Sequence, residues 1–162
     1  MDNNEFVKSY SLNPENVYVD QPVGCVFDSN NELFCSASAI DGTLGAGFYY
    51  YDKSNDKFIS KNLNVSNNAQ KPLIKDKILY IPVPRVGGLI MYDYNNTPSS
   101  FSDDKFKLIT KDNNLPVSQV YSVNVDNNDD VWIGTKEGLR ILSNPKAAIL
   151  ESNPQTDPII IE

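Results

Sequence analysis

Through its most regular stretch this chain alternates apolar and polar residues with a period of two, the period of a strand with one buried face. The stretch begins at Asn114-Leu115-Pro116 and runs on through Val120-Tyr121-Ser122-Val123-Asn124-Val125-Asp126, a polar turn at Asn127-Asn128-Asp129, and Val131-Trp132-Ile133-Gly134-Thr135. It ends at Gly138-Leu139-Arg140-Ile141-Leu142. Residues 123, 125, 131 and 133 share one apolar face, and the Asn/Asp cluster between them is turn chemistry. The pattern predicts consecutive short hairpins.

The same order occurs twice more. In the first copy Cys25-Val26-Phe27-Asp28 leads through Ser29-Asn30-Asn31 into Leu33-Phe34-Cys35 and then Gly47-Phe48-Tyr49-Tyr50-Tyr51-Asp52. In the second, Pro72-Leu73-Ile74 turns at Lys75-Asp76-Lys77 into Ile78-Leu79-Tyr80-Ile81, followed by Gly87-Gly88-Leu89-Ile90-Met91-Tyr92-Asp93. Aromatic residues anchor the copies at Phe34, Tyr80 and Trp132, spaced by 46 and 52 residues. A four-stranded propeller blade repeats at roughly 40–50. The first two copies are each expected to supply an outer strand ending in a small charged turn and an aromatic, Asp56-Lys57-Phe58 and Asp104-Lys105-Phe106, whereas the third copy departs into Ser143–Leu150, read as a helical turn or an irregular excursion.

No window of ten or more residues has convincing helical periodicity, so the expected fold class is all-β. The chain reads as a β-propeller fragment of about three four-stranded antiparallel blades, at residues 15–60, 61–111 and 112–150, with 151–162 starting a further strand. Glu5–Tyr10 reads as the outer strand of a preceding blade. Three blades do not complete a ring, because closed propellers have roughly four to eight.

Composition narrows the function. With 162 residues and 40% hydrophobic content, there is apolar material for one core but little for two domains. Fourteen Lys and Arg against 21 Asp and Glu leave a net charge of −7, a field that repels phosphate backbones, so nucleic acid is not an expected partner. No stretch approaches the roughly 18 apolar residues of a membrane span, and Met1-Asp2-Asn3-Asn4-Glu5 is unlike a signal peptide.

The chain has no histidine, which removes Ser-His-Asp and Cys-His sites and histidine-bound zinc from consideration. The evident carboxylates, Asp28, Asp126, Asp129 and Asp130, fall in or beside repeat turns, where Asp is wanted for backbone hydrogen bonds. Asp126–Asp130 lacks the glycine and distal glutamate of a calcium loop, and reads as a hairpin turn. Gly42–Gly47 leads into a strand rather than a helix, so it is not a phosphate cradle. Cys25 and Cys35 occupy the repeat places of Val123 and Ile133 and read first as buried small hydrophobes. Their spacing also allows a cross-strand disulfide in an oxidising compartment. Catalytic residues, metal ligands and cofactors are therefore expected to be none. Tyr49, Tyr50 and Arg85 are the candidate ligand-binding residues, since exposed Tyr and Arg serve interfaces and sugar sites.

Two resemblances rest on these residues. Asn114-Leu115-Pro116, Val125-Asp126, Val131-Trp132-Ile133-Gly134-Thr135 and Gly138-Leu139 resemble the two-component regulator propeller repeat. Tyr80-Ile81-Pro82-Val83-Pro84-Arg85-Val86-Gly87-Gly88-Leu89-Ile90-Met91-Tyr92-Asp93, together with Asn114-Leu115-Pro116, Leu139-Arg140-Ile141-Leu142 and Ile159-Ile160-Ile161-Glu162, is similar to the second propeller of the PorZ-like surface proteins of the type IX secretion system. The second likeness implies a cell-surface or outer-membrane setting in a Gram-negative bacterium, with other secretion-machinery proteins or surface polysaccharide such as anionic lipopolysaccharide as partners. The first implies a periplasmic propeller that senses glycans for a hybrid two-component regulator.

Overall fold

The computed structural model of the chain describes residues 10, 21–38, 46–65, 68–85, 87–151 and 154–158. The strand expected at 5–10 (Tyr10 apart), the glycines at 42 and 45 and the tail at 159–162 lie outside the described residues. Among the described residues twelve strands form three antiparallel sheets, each following chain order as a meander. The first sheet holds β1 (Gln21–Phe27), β2 (Leu33–Ser38), β3 (Ala46–Asp52) and β4 (Lys57–Val65). The second holds β5 (Leu73–Lys75), β6 (Ile78–Val83), β7 (Gly88–Asp93) and β8 (Lys105–Ile109). The third holds β9 (Val120–Val125), β10 (Val131–Thr135), β11 (Gly138–Leu142) and the short β12 (Asp157–Pro158). The excursion after β11 is a four-residue helix, α1 (Pro145–Ala148), which Asn144 caps by accepting the Ala147 N–H.

Packing explains why the middle copy is the most apolar. One core joins Phe34, Phe48 and Tyr50 of the first sheet to Leu79, Ile81, Ile90 and Tyr92 of the second. A second core joins Ile78, Tyr80, Leu89 and Met91 to Val120, Val131 and Ile133 of the third. The middle sheet is thus covered on both faces, and a strand covered on both faces needs no alternation. Every residue of β6 is buried, whereas β10 alternates between buried and half-buried positions. The first strand of the middle sheet, β5, touches both β1 and β9, as inner strands of neighbouring blades do.

Strand register makes the three aromatic anchors equivalent. Phe34 pairs with Tyr50, Tyr80 with Met91 and Trp132 with Ile141, always second strand to third. Two residues on, Ser36 pairs with Phe48, Pro82 with Leu89 and Gly134 with Leu139. Phe34 belongs to the core shared with the second sheet, and Tyr80 to the core shared with the third. Trp132 alternates with Val131 and Ile133, which face the second sheet, and so lies on the opposite face.

The turns repeat as closely as the strands. Asp28 Oδ1 accepts the N–H groups of Asn30 (2.8 Å) and Glu32 (2.7 Å), and Asp126 Oδ1 accepts those of Asn128 (2.8 Å) and Asp130 (3.1 Å). The left-handed residue of each turn is Asn31 (φ 63°) or Asp129 (φ 65°), types that tolerate this conformation. The second carboxylate oxygen holds an aromatic: Asp126 Oδ2 accepts the Trp132 indole N–H at 2.9 Å. Phe34 has no such donor, and Asp28 Oδ2 instead accepts the hydroxyl of Tyr94, the residue just past β7, at 2.8 Å. Tyr94 in turn packs on Phe34 with ring centroids 4.8 Å apart. The same carboxylate oxygen thus serves a donor of its own blade in one copy and a donor of the neighbouring blade in another.

Two expectations need correction. The outer strands β4 and β8 begin at Lys57 and Lys105 rather than ending there, because these residues pair with Asp52 and Asp93 across the hairpin turns. The further strand expected in 151–162 is seen at residues 157–158, which pair with β11 as the fourth strand of the third sheet. The reason is an anchor: Thr156 donates its N–H and its hydroxyl to the Asn113 carbonyl (3.0 and 2.8 Å), and the Asn113 amide donates to the Pro154 carbonyl at 2.8 Å. Cys25 and Cys35 are not two buried thiols. They are direct cross-strand partners on β1 and β2 and form a disulfide, with Cys35 buried and Cys25 exposed.

These contacts predict graded stability effects. Ile90→Ala, at a fully buried position of the middle sheet, should cost about 2–5 kcal/mol in denaturant unfolding, while Ile141→Ala on the outward face of the third sheet should cost clearly less. Reducing the disulfide, or replacing both cysteines by serine, should cost roughly 2–3 kcal/mol at most, because the loop it closes is short. The Trp132 hydrogen bond, helped by the backbone N–H groups of the turn, holds the Asp126 carboxyl below its ordinary 3.8. A lowered value in the folded state stabilises above the unfolded value, and that stability is lost as pH falls through the folded one. Asp126→Ala should therefore lower the melting temperature at pH 7, and the gap from the natural protein should close at pH values well below 3.8.

Candidate functional site

The residues expected to recognise a ligand are not all at the surface. Strand alternation sends Tyr49 and Tyr50 to opposite faces of β3, and both are buried, at 4% and 7% exposure. Tyr50 lies in the core between the first two sheets, where its hydroxyl donates to Glu32 Oε2 at 2.9 Å. Burial and that carboxylate raise its pKa to about 12, which keeps it a neutral donor. The face carrying Tyr49 also carries Tyr51, whose ring meets Phe58 and Tyr10. Arg85 is exposed in the turn between β6 and β7. The premise of exposure thus holds for Arg85 and fails for the tyrosines. Alternation puts one of the pair on the inward face whatever the register, and burial of the opposite face takes the other.

A cleft of about 250 Å³ lies elsewhere, between the second and third sheets at the end where the β5–β6 and β9–β10 turns emerge. Its walls are the aliphatic side chains of Ile78 from β6, Val125 from β9 and Pro145 from α1. Two ion pairs join the two sides. Lys75 Nζ stands 3.4 Å from Asp129 Oδ1, and Lys146 Nζ is 2.8 Å from Asp76 Oδ2. The second pair is a direct hydrogen bond that draws the Asp76 carboxyl down and the Lys146 ammonium up from their ordinary values. Helix α1 makes this possible, since its Asn144 cap and Pro145 turn the chain after β11 so that Lys146 reaches the neighbouring turn.

Tyr80 lines the same cleft. Its side chain is 1% exposed, and its hydroxyl has no hydrogen-bond partner among the described residues. Burial pushes this phenol far above its ordinary value, and the charges of Asp76 and Asp129 push it further, so it stays protonated. The sequence marked Tyr80 only as a core anchor. The available signal was the opposed charge of the two turns, Lys75-Asp76-Lys77 against Asp129, which becomes informative only once the sheets are known to stack.

A second buried polar group bridges the first and second sheets. Asp104 accepts a hydrogen bond from the Tyr92 hydroxyl and lies 3.7 Å from Lys61 Nζ. Its Oδ1 is buried without a partner among the described residues, and desolvation raises its pKa against the pull of Lys61. Lys61 also sits 4.1 Å from the centre of the Phe101 ring. This cluster is closed by packing and has the character of an interface strut. Among the described residues no group of three or more Cys, Asp or Glu side chains is placed to hold a metal ion. No helix among them is long and apolar enough to cross a membrane.

No protein-family model and no curated protein matches the chain. Solved structures do. PorZ, an essential surface component of the type-IX secretion system of Porphyromonas gingivalis, superposes with a TM-score of 0.64 at 18% identity, over 96% of this chain and 22% of PorZ. The extracellular domain of the hybrid two component system BT4673 of B. thetaiotaomicron superposes with a TM-score of 0.59 at 18% identity, over 84% of this chain and 18% of that one. The chain therefore spans about a fifth of the length of each. At this identity the likeness is one of fold: three stacked, four-stranded antiparallel blades shared with a secretion-system surface protein and with a regulator's extracellular domain.

Proposed function

We propose that this chain is a non-catalytic interaction scaffold of a bacterial cell-surface protein, a PorZ-like component of the apparatus that attaches type IX secretion cargo to the cell. The observation that carries the reading is where its polar chemistry goes. The turn carboxylates Asp28 and Asp126 have both oxygens committed to backbone and aromatic donors, and the chain has no histidine to act as a base. Likeness of fold to PorZ over nearly the whole chain supports the setting. Between the partners that setting offers, a net charge of −7 disfavours anionic lipopolysaccharide and favours proteins. The likeness to the BT4673 extracellular domain favours a second reading, a periplasmic propeller that senses glycans for a hybrid two-component regulator.

Deleting the gene in its host separates the two. Under the scaffold reading, secreted cargo leaves the cell surface and accumulates in the medium, with growth on polysaccharides unchanged. Retained cargo together with a growth defect on one defined polysaccharide would instead establish the sensor. Purified chain should release no reducing ends from a polysaccharide panel, and release that vanished in Asp126→Asn or Asp130→Asn would overturn the non-catalytic assignment.

A further inference from the structure

We infer that the cleft between the second and third sheets is a docking site for an extended peptide segment of a partner protein, which seats one aliphatic side chain on Ile78, Val125 and Pro145 while its backbone carbonyl accepts the Tyr80 hydroxyl. The inference rests on the scaffold reading and names where the scaffold would hold its partner.

Four observations select this occupant. The first is the phenol itself. A hydroxyl on a residue 1% exposed normally finds a protein partner, and Tyr80, which lines the cleft, has none for its hydroxyl among the described residues. Remaining protonated, it offers a donor that calls for an acceptor, and the neighbouring carboxylates Asp76 and Asp129 are already engaged by Lys146 and Lys75. The second is the sign of the rim. Because each lysine is neutralised across the cleft, a phosphate or sulfate would have to displace a carboxylate, and a metal ion would have to displace an ammonium. A neutral amide displaces neither.

The third is the wall. Aliphatic side chains contributed from both sides of the cleft form a socket, whereas sugar rings are held on flat aromatic platforms. The fourth is size. About 250 Å³ accommodates a single side chain and the peptide unit beside it, not a folded surface. An apolar anchor in a pocket ringed by polar groups is how a small contact area gains most of its binding energy.

The test uses the full chain, isotopically labelled for NMR, titrated with N-acetyl-leucine N′-methylamide as the anchor probe. N-acetyl-glycine N′-methylamide, which lacks the anchor, and maltose serve as comparators. Saturable shifts confined to Ile78, Tyr80, Val125, Asn128 and their neighbours are expected for the leucine probe, with the glycine probe several-fold weaker. Tyr80→Phe should weaken the leucine probe about 3- to 10-fold, the value of one hydrogen bond. Its melting temperature should stay equal or rise, since the hydroxyl has no hydrogen-bond partner among the described residues. Val125→Phe, which fills the socket, should abolish the shifts.

Absence of saturable shifts, leucine binding untouched by Tyr80→Phe, or preferential shifts from maltose would overturn the site. So would a clear loss of stability in Tyr80→Phe, which would assign the hydroxyl a structural role. If the probe fails while gene deletion still releases cargo, this docking site is wrong and the scaffold reading stands.

Discussion

A short antiparallel sheet has two faces and too little area to bury either against itself, so its stability is borrowed from whatever lies alongside. In this chain the lender is the middle sheet. Leu79, Ile81, Ile90 and Tyr92 close one core and Ile78, Tyr80, Leu89 and Met91 close the other. The two flanking sheets contribute Phe34, Phe48 and Tyr50 on one side and Val120, Val131 and Ile133 on the other. The cleft and its crossing ion pairs sit where one sheet meets the next.

That dependence explains which parts of the structure could be read from residues alone. Period-two alternation and the spacing of Phe34, Tyr80 and Trp132 are local signals, and strand register places all three at matching positions. The alignment of Cys25 and Cys35 with Val123 and Ile133 was equally informative: both are directly opposed pairs on the first two strands of a sheet. What alignment did not fix was the chemistry of the pair, because a cross-strand position accepts two small hydrophobes or one disulfide.

The less legible features depend on contacts distant in sequence. Tyr49 looked like a surface residue because alternation reports which face it occupies, not whether that face is covered. Residues 157–158 return to β11 because Thr156 and Pro154 bond Asn113, more than forty residues earlier, and no local pattern announces such a tie. Tyr80 combined both roles: its apolar body belongs to the repeat, while its hydroxyl acquires a use only from turns contributed by two different sheets.

The bond between Asp126 and Trp132 has an optical consequence. Trp132 is the chain's single tryptophan, half-buried on the outward face of the third sheet and fixed by a carboxylate of its own hairpin. Indole emission therefore reports one blade and is largely blind to the other two. Comparison of that emission with far-ultraviolet dichroism, which averages over all the strands, distinguishes a stack that melts as one unit from one that sheds its third blade first.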